Sequence, residues 1–148
     1  MQSKRERGFT LIELGVVVLL MGIVLGFSIP AFLNFGRTND LKAAADNMAS
    51  QIRLARERAM STSNDQHFHF SYLYVGYNYA VHPNNPIGAY TYFKLPRTVT
   101  YSPATFGTTF FMYKDGRASA SQIIKLVNAA RQDTATVSVE MSGLVTVY

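Results

Sequence analysis

The hydrophobic and polar positions divide the chain into three stretches with different periods. Residues 14–36 contain no Asp, Glu, Lys or Arg, so the first stretch would be apolar on every side of a helix. An α-helix of this length measures roughly 34 Å, which is enough to cross the hydrocarbon core of a bilayer. The pattern therefore predicts one membrane-spanning helix near the N-terminus.

A second helical pattern follows a short break that is expected at residues 34–36. Apolar residues recur there at alternating intervals of four and three, which places them on one helix face: Leu41, Ala45, Met48, Ile52, Ala55 and Ala59. A charged cluster beside them could bind an acidic group but is interpreted as a solvated helix face: Arg53, Arg56, Glu57 and Arg58. The stretch predicts an amphipathic helix that a sheet must cover.

Beyond residue 66 the period changes to two, and β-branched and aromatic residues become frequent. The pattern predicts strands at residues 67–75, 77–81, 90–95, 99–101, 109–113, 122–127, 136–141 and 144–148. A loop is predicted at residues 82–86, tight turns at 114–116 and 141–143, and a bulge at Gly76. A long N-terminal helix followed by antiparallel strands predicts a fold of the α+β class.

The charge distribution does not indicate a polyanionic partner. The net charge is +5, but Lys4, Arg5 and Arg7 against Glu6 supply two of those charges within the first eight residues. Basic residues before an apolar helix favour retention of the N-terminus in the cytoplasm, which places the residues after Gly36 outside. Cysteine is absent, which excludes disulfides and thiol chemistry without fixing the compartment.

Glu13 is the unusual residue of the anchor, because it directly precedes the uncharged stretch. An ionised carboxylate inside a membrane helix costs several kcal/mol unless it is paired or solvated. One interpretation is an interfacial carboxylate that stays hydrated near the membrane surface. The position favours a functional role instead, since an unpaired charge there carries an avoidable penalty.

The sequence RGFTLIEL at residues 7–14 follows a short basic leader and precedes the apolar helix. It resembles the processing motif of type IV prepilins and type II secretion pseudopilins. The resemblance implies cleavage between Gly8 and Phe9 by a membrane prepilin peptidase, and N-methylation of the new Phe9 amine. It also implies three parts: a cleaved leader (1–8), a transmembrane and polymerisation helix (9–36), and a periplasmic or extracellular pilin domain (37–148) that includes the second half of the helix.

Glu13 is the expected assembly residue within this resemblance. Cleavage creates a cationic amine four residues before it, and the carboxylate can pair with this amine of its own chain or, in a filament, with that of a neighbouring subunit. Pairing between subunits would fix the axial register of the helices. Gly22 and Gly26 form a G-x-x-x-G pair that allows helices to approach closely. Pro30 removes a backbone donor, so a kink or local melt is expected at residues 26–30, as is usual in pilin-like helices.

The remainder of the chain resembles the GspH/FimT-FimU group of minor pilins and pseudopilins, which includes the H-type pseudopilin of type II secretion. The resemblance is carried by LARERA at residues 54–59, by Asp115-Gly116, and by the closing pattern VSV…GLV at residues 137–145. Some FimT-type pilins bind DNA through a G-R-x-R string near the end. The comparable stretch here is GLVT at residues 143–146, which has no arginine, so DNA binding by that route is not expected.

His67 and His69 could ligate a metal, because residues two apart share one face of a strand. The only further histidine is His82, across a predicted loop, so the pair is interpreted as surface histidines beside aromatic neighbours. No metal site and no cofactor are expected. Nucleophile elbows, metalloprotease helices and glycine-rich phosphate loops are absent, so no catalytic residue is assigned and an enzyme is not expected.

Tyrosine is concentrated in the first half of the predicted sheet, at Tyr72, Tyr74, Tyr77, Tyr79, Tyr90, Tyr92 and Tyr101. Such residues could stack on bases or sugars, or form a patch for a partner. Cross-strand aromatic pairs that stabilise a small sheet are the favoured interpretation.

The resulting hypothesis is a minor pilin or pseudopilin that helps initiate or cap a type IV pilus or type II secretion pseudopilus. Its expected partners are other pilins through the N-terminal helix, the prepilin peptidase and the membrane. Its expected location is the bacterial inner membrane, crossed once with the C-terminal domain in the periplasm, and a filament or filament tip after assembly. The alternatives are a major filament subunit and a membrane-tethered binding module for DNA or glycan.

Overall fold

The computed structural model describes residues 10–70, 76–86, 88–102, 109–128 and 133–148. For residues 30–38 it describes the backbone and not the side chains. The chain divides into two units, Met1–Gly36 and Arg37–Tyr148. The predicted α+β class is confirmed, because a long N-terminal helix is followed by antiparallel sheets.

One helix, α1, spans Leu11–Thr62 and contains both the apolar and the amphipathic stretch. The break predicted at residues 34–36 is wrong, since the helical backbone continues through them. A single glycine costs a helix only about 1 kcal/mol, which helical sequence on both sides can offset. The helix ends where Ser63 adopts a φ of 51° and the Asn64 N–H donates to the Ala59 carbonyl at 3.2 Å. This bond closes the last turn as in a Schellman motif.

The apolar stripe predicted on the second half of α1 is confirmed. All of its members are buried: Leu41, Ala45, Met48, Ile52, Ala55 and Ala59. Ala44 and Ala49 widen the stripe. Small side chains on this face let the sheets approach the helix backbone closely, because alanine adds only one methyl group to the contact.

Among the described residues, eight strands follow the helix in two antiparallel sheets. The first sheet has the order β3-β2-β1-β5, with β1 Gln66–Phe70, β2 Tyr79–Pro83, β3 Thr91–Phe93 and β5 Thr109–Met112. The second has the order β4-β6-β7-β8, with β4 Val99–Tyr101, β6 Gln122–Asn128, β7 Thr134–Val139 and β8 Val145–Val147. Each predicted strand overlaps one of these, and most ends that the structure describes are shifted by one or a few residues. Residues 71–75 of the first predicted strand lie outside the described residues.

Two local predictions in the first sheet are wrong. His82 and Pro83 lie in β2 and not in a loop, because they pair with His67 and Gln66 of β1. Proline is tolerated there because β3 pairs only with residues 79–81 of β2, so no ladder bond is lost on that side. Gly76 lies in a turn before β2 with a φ of +79°, and not in a bulge within a strand.

The core lies between the buried stripe of α1 and one face of each sheet. The first sheet contributes Phe68, Phe70, Phe110 and Met112, and the second contributes Ile124, Leu126, Val137 and Val139. Phe68 stacks on Phe110 with ring centroids 4.8 Å apart. Buried positions alternate with half-buried ones along β1 and with exposed or half-buried ones along β6, so these two strands place one face in the core and the other outside it.

Candidate assembly site and histidine cluster

Two side chains define the start of α1. Thr10 donates its backbone N–H and its hydroxyl to Oε2 of Glu13, both at 2.8 Å, and the Glu13 N–H donates to Oγ1 of Thr10 at 3.3 Å. This reciprocal pattern is a capping box, which satisfies amide groups that the first helical turn leaves without partners. Thr10 was not assigned a role from the sequence, although the spacing T-x-x-E was visible there.

The helix that follows presents an apolar surface on every side. Leu11–Ile29 is long and apolar enough to cross a membrane, and none of it is buried within the chain. Leu11, Ile12 and Phe27 are each at least three-quarters exposed. A surface of this kind is unstable in water, so it must be covered by lipid or by other protein.

Gly22 and Gly26 lie in this exposed stretch, and a methyl group at either position would meet no described atom within 4 Å. They therefore leave a shallow depression on the helix that another helix can approach. Ser28 donates its hydroxyl to the Val24 carbonyl at 2.7 Å, which satisfies a polar group inside the apolar stretch. The helical backbone continues through position 30, and the kink expected at Pro30 stays a prediction.

Gly8 and Phe9, the predicted cleavage site, lie outside the described residues. The pairing of Glu13 with the Phe9 amine therefore stays a prediction. What the structure adds is that both bonds from Thr10 are accepted by one oxygen, Oε2. The other oxygen of the same carboxylate, Oε1, is available by its chemistry to accept a bond from a cationic amine.

The arginines late in α1 are not simply a solvated face. Arg56 donates Nε–H to the Gly116 carbonyl at 2.8 Å, and Arg53 donates Nη2–H to the Val145 carbonyl at 2.8 Å. Gly143 packs on the same place, since a methyl group there would lie 2.7 Å from Nε of Arg56. Arg56 is half-buried, so the interpretation of this cluster as solvated is wrong for it, whereas Arg53 is exposed and also binds the first residue of β8.

The structure brings together the three histidines of the chain. His67 pairs directly with His82 across β1 and β2, and His69 lies diagonally from His82 on the same face. The Nε2 atoms of His69 and His82 are 3.0 Å apart, and one ligand atom from each ring lies within 4.8 Å of the others. His82 is buried, whereas His67 and His69, which were interpreted as surface histidines, are half-buried.

The protonation of this cluster follows from its neighbours. His82 Nδ1 lies 2.8 Å from the Pro83 carbonyl, which can only accept, so Nδ1 carries the proton and Nε2 has the lone pair. The hydrogen bond between the two Nε2 atoms is then donated by His69. Desolvation, followed by repulsion from His82, lowers the pKa of His67 and of His69, so both rings are more readily neutral than free imidazole.

The described tyrosines in this part of the chain are divided between the core and the outer face of the first sheet. Tyr79 and Tyr101 enter the core, and burial raises the pKa of both hydroxyl groups far above the usual value. Tyr77, Tyr90 and Tyr92 instead form a row, with ring centroids 5.2 Å apart for Tyr77 and Tyr92 and 5.8 Å apart for Tyr90 and Tyr92. Tyr72 and Tyr74 lie outside the described residues.

Comparison with known proteins identifies one segment. The family described as the prokaryotic N-terminal methylation motif matches residues 3–29. No curated protein and no solved structure matches the chain. The matched residues contain the basic residues Lys4, Arg5 and Arg7, the carboxylate of Glu13 and the exposed apolar helix, and this combination fits a type IV pilin-like protein.

Proposed function

We propose that this type IV pilin-like protein is a minor pilin or pseudopilin, a structural subunit that helps initiate or cap a filament. The observation that carries the proposal is the methylation motif at residues 3–29, which is joined to an apolar helix that the chain itself does not cover. Such a motif indicates a structural subunit. The subunit acts by protein contact within a filament.

The apolar surface of the N-terminal helix is covered in two successive environments, first the membrane and then the filament. Before assembly, Leu11–Ile29 is covered by lipid, with the globular domain in the periplasm and the leader in the cytoplasm. After cleavage and assembly, the helices of neighbouring subunits cover the same surface. Because both the lipid and the filament interior are apolar, moving the helix from one to the other loses little hydrophobic stabilisation. Packing and polar contacts between helices therefore decide whether the subunit assembles.

Glu13 supplies the polar contact in this mechanism. Its bonds to Thr10 hold the carboxylate at the first turn of α1, where the helix dipole stabilises negative charge. The methylated Phe9 amine of a neighbouring subunit can then bind that carboxylate in an interior with a low dielectric constant, where such a pair is strong. The pair would set how far one helix is displaced along the next.

The assignment to the GspH/FimT-FimU group, and so to a minor subunit, is supported by the segments that carry that resemblance. Arg56, Gly116 and Gly143 come from its three segments and meet at one place in the fold. They form a structural junction between α1 and two turns. A major filament subunit is the alternative, and the abundance of the protein in sheared filaments separates the two.

A membrane-tethered binding module is the second candidate function, and the tyrosine row favours it. Tyr77 and Tyr92 are each 39% exposed, and the Lys94 ammonium lies 5.0 Å from the centre of the Tyr77 ring. Exposed aromatic rings beside a cation can stack on bases or sugars. This candidate predicts that single-stranded DNA binds with an affinity that falls as salt rises, and that Tyr92→Ala weakens the binding.

Processing in cells tests the proposed function. Mass spectrometry of the membrane fraction should show a mature chain that begins at Phe9 with one added methyl group. Gly8→Leu should block that cleavage without preventing membrane insertion, because the basic leader and the apolar helix remain. An unprocessed N-terminus in cells that contain a prepilin peptidase would falsify the assignment as a pilin subunit.

A further inference from the structure

We propose that His67, His69 and His82 form a binding site for a divalent transition-metal ion of the Zn²⁺ type on the outer face of the first sheet. The chain has only three histidines among 148 residues, and all of them belong to this cluster. The proposal concerns the globular domain and does not depend on the function of the N-terminal helix.

Strand pairing holds the three residues on one face. Along β1 the core side is taken by Gln66, Phe68 and Phe70, so His67 and His69 point to the other side. His82 is the direct cross-strand partner of His67. Side chains in direct pairs have Cβ atoms about 5 Å apart, and diagonal neighbours are also within reach of long side chains. The ligands therefore converge before any metal binds.

The distances suit a shared ion. With bonds of about 2.0–2.1 Å to imidazole nitrogen, two ligands of a tetrahedral Zn²⁺ ion are about 3.3 Å apart. The Nε2 atoms of His69 and His82 are already 3.0 Å apart. The ligand atoms of the three histidines all lie within 4.8 Å of one another, so a small rotation of the half-buried His67 ring brings its nitrogen to the same ion. Zn²⁺ binds Nε2 of His69 in the tautomer that carries the ring proton on Nδ1, so the ion takes the place of the proton that Nε2 now donates.

His82 is prepared as a ligand by a second contact. Its Nδ1–H donates to the Pro83 carbonyl, which leaves the Nε2 lone pair facing His69. Ligating histidines in metal sites usually make such a bond with their other nitrogen, because it fixes the tautomer and the ring orientation. The Tyr90 ring packs against the His82 ring, with ring centroids 4.4 Å apart, so it covers the site on one side and restricts the His82 ring.

The chemistry of the ligands selects the metal. Three imidazoles without carboxylate or thiolate favour Zn²⁺, Cu²⁺ or Ni²⁺ over Mg²⁺ and Ca²⁺, which prefer oxygen. His67 and His69 are only partly buried, so a fourth position can be taken by water or by a side chain of another protein. The ion would cross-link β1 to β2.

Metal titration of the full chain in detergent, purified without a histidine tag and treated with chelator, tests the proposal. We expect one Zn²⁺ ion per chain by calorimetry, a higher melting temperature with Zn²⁺ than with Mg²⁺, and the visible absorption of tetrahedral Co²⁺. His69→Gln and His67→Gln should each lower Zn²⁺ affinity at least about tenfold. These positions are half-buried, so the variants should stay folded by circular dichroism.

Thr109→Val is the matched control, because Thr109 lies directly opposite His69 on the same face without a metal ligand. It should bind Zn²⁺ like the parent chain. The proposal is overturned if the parent chain does not bind Zn²⁺, or if folded His69→Gln and His67→Gln bind it with the parent's affinity. Equal stabilisation by Mg²⁺ and Zn²⁺ would also overturn it, since imidazole does not hold Mg²⁺.

Discussion

The Glu13 side chain forms hydrogen bonds within its own chain, and we also expect it to contact a neighbouring subunit in the filament. Its contacts with Thr10 stabilise the start of α1, while its charge is available to a neighbouring amine. Two separate quantities therefore depend on it: the stability of the first helical turn, and the register of the filament. Substitutions that change one without the other can measure each contribution.

Glu13→Ala and Glu13→Gln should both lower crosslinking to neighbouring pilins by at least about tenfold, because each removes the charge that binds the Phe9 amine. A tenfold loss corresponds to about 1.4 kcal/mol of binding free energy. Cleavage and membrane insertion should persist. Thr10→Val is the matched control: it weakens the helix cap by about 1 kcal/mol but keeps the carboxylate. Normal filaments with Glu13→Ala would contradict the pairing, and recovery with Gln would show that a neutral hydrogen bond is enough.

Gly143→Ala should destabilise the globular domain by about 3 kcal/mol or more in urea unfolding. Its φ of +81° disfavours any side chain, and a methyl group would collide with the Gly116 carbonyl oxygen and crowd Arg56. Gly76 offers a matched control, because its φ is +79° but the nearest described neighbour of an added methyl is the flexible end of Lys94 at 3.9 Å. Gly76→Ala should cost only about 1 kcal/mol, and equal losses would refute the proposed junction.

At the scale of elements, the second half of α1 is held by its apolar face and by bonds from its arginines. The buried stripe contacts both sheets, and Arg53 and Arg56 donate to carbonyl groups in or near their turns. A helix fixed in this way cannot rotate about its axis without exposing the stripe. Substitutions on different faces of α1 should therefore have very different effects.

Ile52→Asp should lower the free energy of unfolding by about 3–5 kcal/mol, because Ile52 is 0% exposed and the carboxylate would be buried without a partner. Leu54→Asp is the matched control on the same helix, since Leu54 is 37% exposed and the new charge reaches water. Its cost should be below about 1 kcal/mol. Denaturant unfolding of both variants measures the difference, and similar losses would mean that the helix faces are misassigned.

The buried tyrosines predict loss of stability in alkali. Burial raises the pKa of Tyr79 and Tyr101 above that of a tyrosine in the unfolded chain, which is about 10. When the pKa of a tyrosine is higher in the folded chain than in the unfolded chain, the folded state is favoured fully at pH values below the unfolded-state pKa. That stabilisation falls as pH rises above about 10, because only the unfolded chain then releases the proton. Tyr101→Phe should flatten this decline in melting temperature. A parent curve that stays level up to about pH 11 would contradict it.

At the scale of the whole molecule, the chain has two units whose surfaces require different surroundings. Met1–Gly36 contains the exposed apolar helix, and Arg37–Tyr148 contains the buried core. The core residues from Leu41 onward all lie in the second unit. Folding of the globular domain should therefore need neither lipid nor the anchor.

Removal of residues 1–36 should give a soluble, monomeric protein that melts cooperatively. The reason is that the core lies entirely within the retained residues, whereas the exposed apolar helix is removed. Size-exclusion chromatography, circular dichroism and thermal melting measure the outcome. The full chain, purified in detergent and transferred to buffer, is the comparison and should aggregate. A truncated chain that aggregates or lacks a melting transition would show that the domain depends on its anchor.

The sequence alone determined the elements that depend on residues close together in the chain. The anchor followed from one uncharged stretch, the processing motif from eight consecutive residues, and the buried face of α1 from a helical period. The strands were located from alternation, but their ends and His82 were misplaced. These errors arose because strand ends depend on which partner strand provides hydrogen bonds.

Only the tertiary structure decided which distant residues meet. The contact of Arg56 with Gly116 spans 60 positions, and the histidine cluster requires the register that pairs His67 with His82. Which tyrosines face the core was decided in the same way, by the pairing of Tyr79 in the first sheet and of Tyr101 in the second. Local sequence specifies periodicity, whereas register results from the packing of the whole core, because a one-residue shift would move every side chain of a strand to the opposite face.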